Sequence, residues 1–562
     1  MITPAIVNLL FIRAHGVNVA FWDQFDFIPL FDKAYSGQLS LADLFAQHNE
    51  HRIFLPRLIM LGLGTMTHYN VVAEMYLSWF LLLLISFVLF RAYTRAFGMS
   101  QIALAKFVPV MWLLFSLRQY QNLLWGFQIS FFMTILFLVT ALYLLETSTS
   151  IGLKFGLAII IGMACTLSMS NGLLVWPLGL VQILWARQLQ INELRQSYLK
   201  MALIWGLVGI SVYTMYFIGF TYPAYHPSPS YVIYHPLSSL ICLLACVGSP
   251  LAVESYAAMA AGALLLLLYL YTGIKILRRE SGSQPLVPLS LSLLLFGLSS
   301  AVLIVLGRAG FGLGQMIESR YTTMTALSVI GGYLLLISLR VEHRNIKPFL
   351  TKAMLCLIIL GIAVSYPSAI AAGNAIRTQF NTNAYYLSTF EIQSDENLAK
   401  LHSNVKLVRD GAEILKKYKL NVFSSPRFEP EKLTLAEGIT LFNIDEINGR
   451  QPAQQGVHII IDAQQEKTIT ISGWAVDQPV GEAAGGVFIN IDDGMDIPVL
   501  YGLDRSDVAS SLNNSNYRFS GFSASFGTFI LDKGQHTLSL KIVTADKKGY
   551  YQPEQTIVLE VR

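Results

Sequence analysis

Trp79-Phe80-Leu81-Leu82-Leu83-Leu84-Ile85-Ser86-Phe87-Val88-Leu89-Phe90 carries no charge and sits inside a longer apolar stretch. Such a stretch, at roughly 20 residues, is long enough to span a bilayer as a helix. Phe131–Leu145 and Ala263–Leu270 lie in segments of the same kind. The chain of 562 residues is 54% hydrophobic and 13% charged, whereas a soluble domain carries about 25% charged residues. Its mean hydropathy is +0.52. The fold class implied is a polytopic α-helical membrane protein. The net charge of +4 is scattered along the chain, so no nucleic-acid partner is expected.

Hydropathy predicts about eleven transmembrane helices, centred on 2–20, 71–91, 103–117, 123–145, 152–168, 172–186, 201–220, 256–277, 286–306, 321–340 and 351–371. A shorter apolar piece at 238–250 reads as interfacial or re-entrant. The basic residues test the count. Arg91, Arg95 and Lys106, then Lys154, then Arg187, Arg195 and Lys200, all fall on one face. Lys275, Arg278 and Arg279 follow, then Arg340, Arg344, Lys347 and Lys352. With eleven spans that face is the cytoplasm. The first loop, 221–255, 307–319 and everything after 372 land opposite.

The expected domains are a transmembrane domain over 1–374, an exported helical and loop region over 375–455, and a β-sandwich accessory domain over 456–562. Glu396–Lys417 reads as a solvated amphipathic helix. In His536–Val543, Leu538, Leu540 and Ile542 alternate with Thr537, Ser539 and Lys541, the period of a half-buried strand. Asp493-Gly494, Lys533-Gly534 and Lys548-Gly549 are turn signals. The four cysteines, Cys165, Cys242, Cys246 and Cys356, fall in apolar segments and read as packing.

Chemistry concentrates in the first loop: Trp22-Asp23-Gln24-Phe25-Asp26 and His48-Asn49-Glu50-His51-Arg52. Charge at a membrane face is costly unless solvated, paired or used. Asp23, Asp26 and Glu50 are the candidate catalytic carboxylates. Desolvation beside a membrane raises a carboxyl pKa and suits it to general-base work; the alternative is ordinary solvated acids. His48, His51 and Arg52 are candidate substrate contacts. His-x-x-His at this spacing is no recognised zinc pattern.

Arg118, Arg308 and Arg320 break the positive-inside pattern, each at an outer span edge. Guanidinium forks bind phosphate at two points, which makes these three and Tyr321 candidates for an anionic ligand. The competing reading is a structural ion pair, such as Arg320 with Glu318, or snorkelling to headgroups. Glycines flanking Arg308 would let the backbone approach a ligand. The loop 221–236, rich in tyrosine and proline, is either an interfacial aromatic belt or a substrate-facing lid.

At these residues the chain resembles the lipid-dependent integral-membrane glycosyltransferases of the GT-C class. The resemblance rests on the Trp22–Asp26 cluster after the first span, the His48–Arg52 cluster and Ser319-Arg320-Tyr321 opening a late span. It covers roughly residues 1–375 in architecture. That family often has Asp-Glu where this chain has Asp23-Gln24, which leaves open which carboxylate is the base. Gly473-Trp474-Ala475-Val476-Asp477 looks like accessory sandwiches of bacterial cell-surface enzymes. The resemblance implies sugar transfer from a polyprenyl-phosphate donor to a glycan, lipid or protein acceptor. The site would be the outer face of a bacterial inner membrane, with the C-terminal domain on the periplasmic or extracellular side. Asp23 would be the base, Arg308 and Arg320 would offset phosphate charge, and Glu50, His48 and His51 would orient sugar or acceptor. No cofactor is required; a divalent Mg or Mn ion is compatible. Membrane lipids are the remaining expected partner. The alternatives are a surface-polysaccharide polymerase or ligase acting on diphosphate-linked glycans, and a glycolipid transporter or flippase. The last would place broken helices and charges near mid-membrane.

Overall fold

The computed structural model describes residues 1–188, 192–223, 225–277, 286–338, 346–425, 432–438, 440–452 and 458–562. Arg278, Arg279, Arg340 and Arg344, used above to orient the spans, lie outside the described residues, as does the expected domain boundary at 455/456. The chain divides into two compact units. One comprises Met1–Val17 and Lys33–Arg377, the other Asn18–Asp32 and Thr378–Arg562.

Among the described residues, eight helices are long and apolar enough to cross a membrane. They are Val71–Phe97, Gln101–Leu124, Gly126–Thr147, Leu194–Phe217, Ser255–Lys275, Leu286–Phe311, Ser319–Ser338 and Pro348–Ser388. Three further segments read as spans form shorter helices: Thr3–His15 with 13 residues, and Leu153–Thr166 and Val175–Gln188 with 14 each. At 1.5 Å per residue these are about 20 Å long, against about 30 Å of hydrocarbon. Gly16 leaves the first in extended conformation, and a short 3-10 turn over Ser170–Leu174 separates the other two. Pro236–Leu251 is the short apolar piece noted above. Phe54–Thr67 is an additional apolar helix, hidden from hydropathy by Pro56 and Arg57.

Ser319–Ser338 is the innermost helix of its unit, with 94% of its apolar window buried. It meets the helix Leu286–Arg308 backbone to backbone. A Cβ on Gly297 would stand 2.3 Å from the Ser328 nitrogen, and one on Gly331 would stand 2.4 Å from the Leu294 nitrogen. Small residues permit such approach where lipid offers no hydrophobic contrast. Asn70 and Ser100 cap the helices that follow them, their side chains accepting from Val72 and Ala103 nitrogens, as N-cap residues do.

The second unit contains two sheets. Its strands are β1 Thr434–Leu435, β2 Leu441–Ile447, β3 His458–Ile461, β4 Thr468–Asp477, β5 Glu482–Ala483, β6 Gly486–Ile491, β7 Met495–Pro498, β8 Leu500–Leu503, β9 Gly521–Gly527, β10 Gly534–Val543, β11 Gly549–Tyr551 and β12 Ile557–Val561. One sheet runs β1-β11-β10-β12-β3 with β6 added at β10 and β7 on β6; the other runs β2-β4-β9-β8 with β5 on β4. The sheets therefore include strands N-terminal to residue 456. One apolar core cluster draws on both, with Ile469, Ile471 and Phe526 from one and Ile489, Leu540 and Leu559 from the other. On β10, Leu538, Leu540 and Ile542 are buried while Thr537 is exposed. Ser539 is buried as well, its hydroxyl on Asn490. Asp492 and Asp493 take left-handed backbone in the turn joining β6 to β7.

The amphipathic segment breaks into Asp395–Leu398 and Val405–Lys417, the second buried through Val408, Gly411, Ala412 and Leu415. Residues 18–32 pack here. A Cβ on Gly411 would stand 3.0 Å from Phe25. The Trp22 amide donates to the Leu401 carbonyl at 3.0 Å. Asp32 accepts from Lys417 and from the Tyr418 hydroxyl, each at 2.9 Å.

Candidate functional site

In the membrane-helix unit the site begins at a tight turn. His48 and His51 exchange backbone hydrogen bonds of 2.8 Å, leaving Asn49 and Glu50 as its tip. Asn49 has φ +51°, a conformation asparagine tolerates in such turns. The turn is tied to the loop after Leu194–Phe217. Gln47 donates to the Thr221 carbonyl at 2.6 Å and accepts from its amide at 3.1 Å. The Tyr225 hydroxyl donates to the Asn49 side chain. Arg52 donates to the carbonyls of Tyr216, Phe45 and Ile218 at 2.8, 3.0 and 2.6 Å. Arg52, expected as a substrate contact, is thus engaged by backbone, and His48 is buried against the Phe127 ring.

Glu50 stands where three other segments converge. Its Oε1 accepts from Arg308 Nη2 at 2.7 Å, across 258 residues of sequence. Arg308 Nη1 lies 2.8 Å from His226 Nδ1. His51 Nε2 lies 3.7 Å from Glu50 Oε1, and His226 Nδ1 lies 3.7 Å from Oε2. His51 Nδ1 meets Ser170 Oγ at 2.7 Å. A guanidinium only donates, so His226 Nδ1 must offer a lone pair, and that ring is neutral with its hydrogen on Nε2. Burial, and then the Arg308 charge, hold the His226 pKa below its ordinary value. For Glu50, burial pushes the carboxyl up, but the His51 and Arg308 charges and a backbone hydrogen bond outweigh it and hold it below the usual glutamate value. Glu50 is therefore ionised at neutral pH. Its Oε2 is buried and has no hydrogen-bond partner among the described residues.

Glycine sets the Arg308 loop. A Cβ on Gly310 would stand 2.6 Å from Pro227 Cβ, so only a bare backbone lets 307–312 lie against 226–227. The Tyr321 hydroxyl meets the Arg308 guanidinium and accepts from Gln315 at 3.1 Å. The Arg320 guanidinium lies over the Tyr321 ring, 5.3 Å from its centroid, and its Nε is buried without a hydrogen-bond partner among the described residues. The structure thus brings together Glu50, His51, Arg308, Tyr321 and Arg320 from the residues singled out by sequence. It adds His226, Ser170 and Tyr225.

Arg118 is arranged differently. It is buried, with Nε on the Ala252 carbonyl at 3.2 Å and Nη2 on the Ile317 carbonyl at 2.5 Å. Its neighbours interlock with the start of Ser319–Ser338. Gln121 donates to Glu318 at 2.9 Å and accepts from the Arg320 amide at 3.1 Å. Asn122 donates to the Arg320 carbonyl and to Thr323, each at 2.8 Å. Asp23 and Asp26 belong to the other unit. Asp26 is exposed in the short helix Gln24–Phe27, and Asp23 is half-buried at its N-cap.

The cluster does not fit a divalent ion. Arg308 already bridges Glu50 and His226, so a fixed positive charge stands where Mg or Mn would sit. A guanidinium donates to anions, and a carboxylate oxygen accepts from a hydroxyl.

No family model matches the chain, and no solved structure matches it. An uncharacterised protein of Archaeoglobus fulgidus is 23% identical over 247 residues, covering 38% of this chain and 62% of that protein. The chain thus spans less than two thirds of that relative's length.

Proposed function

We propose that the chain is a membrane glycosyltransferase of the GT-C type, moving a sugar from a polyprenyl-phosphate carrier to an acceptor on the outer face of a bacterial inner membrane. The observation that carries this reading is Glu50. One of its oxygens is bound to Arg308, and the other is buried with no hydrogen-bond partner among the described residues. A carboxylate that keeps an unfilled acceptor position beside a cation suits a hydroxyl nucleophile and an anionic leaving group. In the step proposed, the acceptor oxygen bonds to the anomeric carbon and its proton passes to Glu50. The bond from that carbon to phosphate oxygen breaks, and the carrier phosphate leaves with the electron pair, its charge offset by Arg308 and Arg320. Glu50 rather than Asp23 is the base in this proposal.

Eleven crossings are part of the same proposal. The pairs His51–Ser170, Arg118–Ala252, Gln121–Ser319 and Glu50–Arg308 join only segments that this count puts outside. Ser197 with the Thr149 carbonyl joins two segments it puts inside. Thr149 and Ser170 thus go with opposite sets, which asks the short helix Leu153–Thr166 to cross. The C-terminal sheets, sharing one core, would form an exported sandwich.

The test is single-turnover release of polyprenyl phosphate by the full chain in nanodiscs, with polyprenyl-phosphate hexoses and pentoses as donors. Glu50→Gln should lower release by roughly 10²–10⁴-fold, the usual contribution of a general base. Asp23→Asn should stay within a few-fold of the parent. The opposite ranking moves the base to Asp23. Release from no donor would favour the polymerase or transporter readings.

A further inference from the structure

We infer that Glu50 is a latch on Arg308 which an incoming lipid phosphate opens, so that binding of the donor itself unmasks the base. The latch concerns phosphate binding alone; the unmasking rests on the transfer reading above.

Both terminal nitrogens of Arg308 are occupied, Nη2 by Glu50 Oε1 at 2.7 Å and Nη1 by His226 Nδ1 at 2.8 Å. Two-point capture of a phosphate on the edge that joins those two nitrogens needs the same fork, so on that edge one partner must leave. His226 is the fixed one. Its side chain is 4% exposed, and Gly310 against Pro227 holds its loop to that of Arg308. Glu50 is the more accessible one: its side chain is 28% exposed and it stands on the tip of a two-residue turn. A phosphate oxygen replaces its carboxylate oxygen with another anionic acceptor, so Arg308 is never left unpaired in the low-dielectric site. That exchange avoids the penalty of breaking a desolvated ion pair outright.

The exchange has a second effect. While Glu50 is paired it is a fixed counter-ion and a weak base. Once Arg308 turns to phosphate, burial acts on Glu50 with less opposition and raises its affinity for a proton. The proton acceptor is strengthened only when the group that must leave is already in place. Donor should therefore bind before acceptor.

The experiment measures binding of polyprenyl phosphate, without sugar, to the full chain in phosphatidylcholine nanodiscs, with inorganic phosphate as a parallel arm. Removing the competing charge in Glu50→Gln should tighten binding of the lipid phosphate about tenfold while transfer falls by the margin given above. Glu50→Asp, which withdraws the carboxylate by one methylene, should also tighten it and serves where the glutamine variant does not accumulate. Arg308→Gln should weaken it at least tenfold. Unchanged or weaker binding to both Glu50 variants overturns the latch, as does absence of binding to every protein. Equal tightening by inorganic phosphate keeps the latch but overturns its lipid ligand. Tightened lipid-phosphate binding without transfer from any donor supports the latch and removes the transfer reading instead.

Discussion

Two polar clusters lie within the membrane-helix unit, and they treat their charges in opposite ways. Around Arg118, guanidinium nitrogens end on the Ala252 and Ile317 carbonyls, and Gln121 and Asn122 close onto Glu318, Thr323 and the Arg320 backbone. Around Glu50, the charges end on one another, and one carboxylate oxygen has no hydrogen-bond partner among the described residues. Carbonyls freed at helix ends must be satisfied in an apolar setting, and Arg118 does that. The pairing around Glu50 leaves little to the backbone, with one long bond of 3.3 Å from Arg308 to the Gly307 carbonyl. It is retained at a desolvation cost, which is what a ligand site requires.

The sharpest way to break this contrast is to swap the outcomes. Glu50→Gln should leave accumulation and melting temperature close to those of the parent while transfer falls by the margin given above. Arg118→Met should do the reverse. It orphans the buried Ala252 carbonyl at roughly 1–3 kcal/mol and the part-buried Ile317 carbonyl besides, and the protein should be lost from the membrane fraction or melt well below the parent. Normal folding of Arg118→Met with selective loss of donor binding would move Arg118 into the ligand site.

Gly310→Ala comes next. Its new methyl would meet Pro227, and overpacking of this kind costs typically about 1–3 kcal/mol. Because the displaced loop carries Arg308, transfer should fall about tenfold, as sub-ångström misplacement of a positioning group does. Unchanged transfer would mean the 307–312 loop can move without consequence. The Arg308–Glu50 geometry would then not matter as proposed.

Much of the scaffold is legible in the sequence because its causes are local. Apolar runs such as Trp79–Phe90 and alternation such as Leu538-Ser539-Leu540-Lys541-Ile542 speak for themselves. Glu50 and Arg308 stand out singly, as charges at span ends. Their partnership does not, since no pattern of period 2 or 3.6 connects residues 258 positions apart. For the same reason Arg52, Arg118 and Arg308 look alike in sequence, yet two of them meet carbonyls and one meets a carboxylate. The turn at His48–His51 had a readable sign, Asn49 ahead of Glu50, a residue type that accepts left-handed backbone. His226 sits in the tyrosine- and proline-rich loop that sequence marks out, without any sign of its partner. Nothing near Trp22–Asp26 tells that this segment is completed by residues beyond 378.

The smallest effect is expected in the β region, where a surface ion pair offers a control. His536 Nδ1 meets Asp492 Oδ2 at 2.6 Å. Burial lowers the His536 pKa, but the bonds to Asp492 and the Asp532 carbonyl outweigh it and raise the value above 6.5. Burial likewise raises that of Asp492, while His536 and the Thr537 amide bring it below 3.8. The histidine contribution is full below 6.5 and is lost as pH rises through its raised value. The aspartate contribution is present above 3.8 and is lost as pH falls through its depressed one. Hydrogen-exchange protection at 534–538 should therefore fall slightly in His536→Gln near pH 5, and should match the parent near pH 9. Transfer should be unchanged at either pH.

The packing of residues 18–32 against the C-terminal region has a consequence in time. Ala20 hydrogen-bonds Asn421, 401 residues later, and Phe25 rests on Gly411. At about 5–20 residues per second, a ribosome needs roughly 20–80 s to cover that distance. Through that interval Phe25 and Ile28, buried in the finished protein and resting on Gly411, lack that cover. This segment thus waits on residues made far later before it reaches its final state, and a nascent chain arrested before residue 411 should expose it to a holdase or a protease.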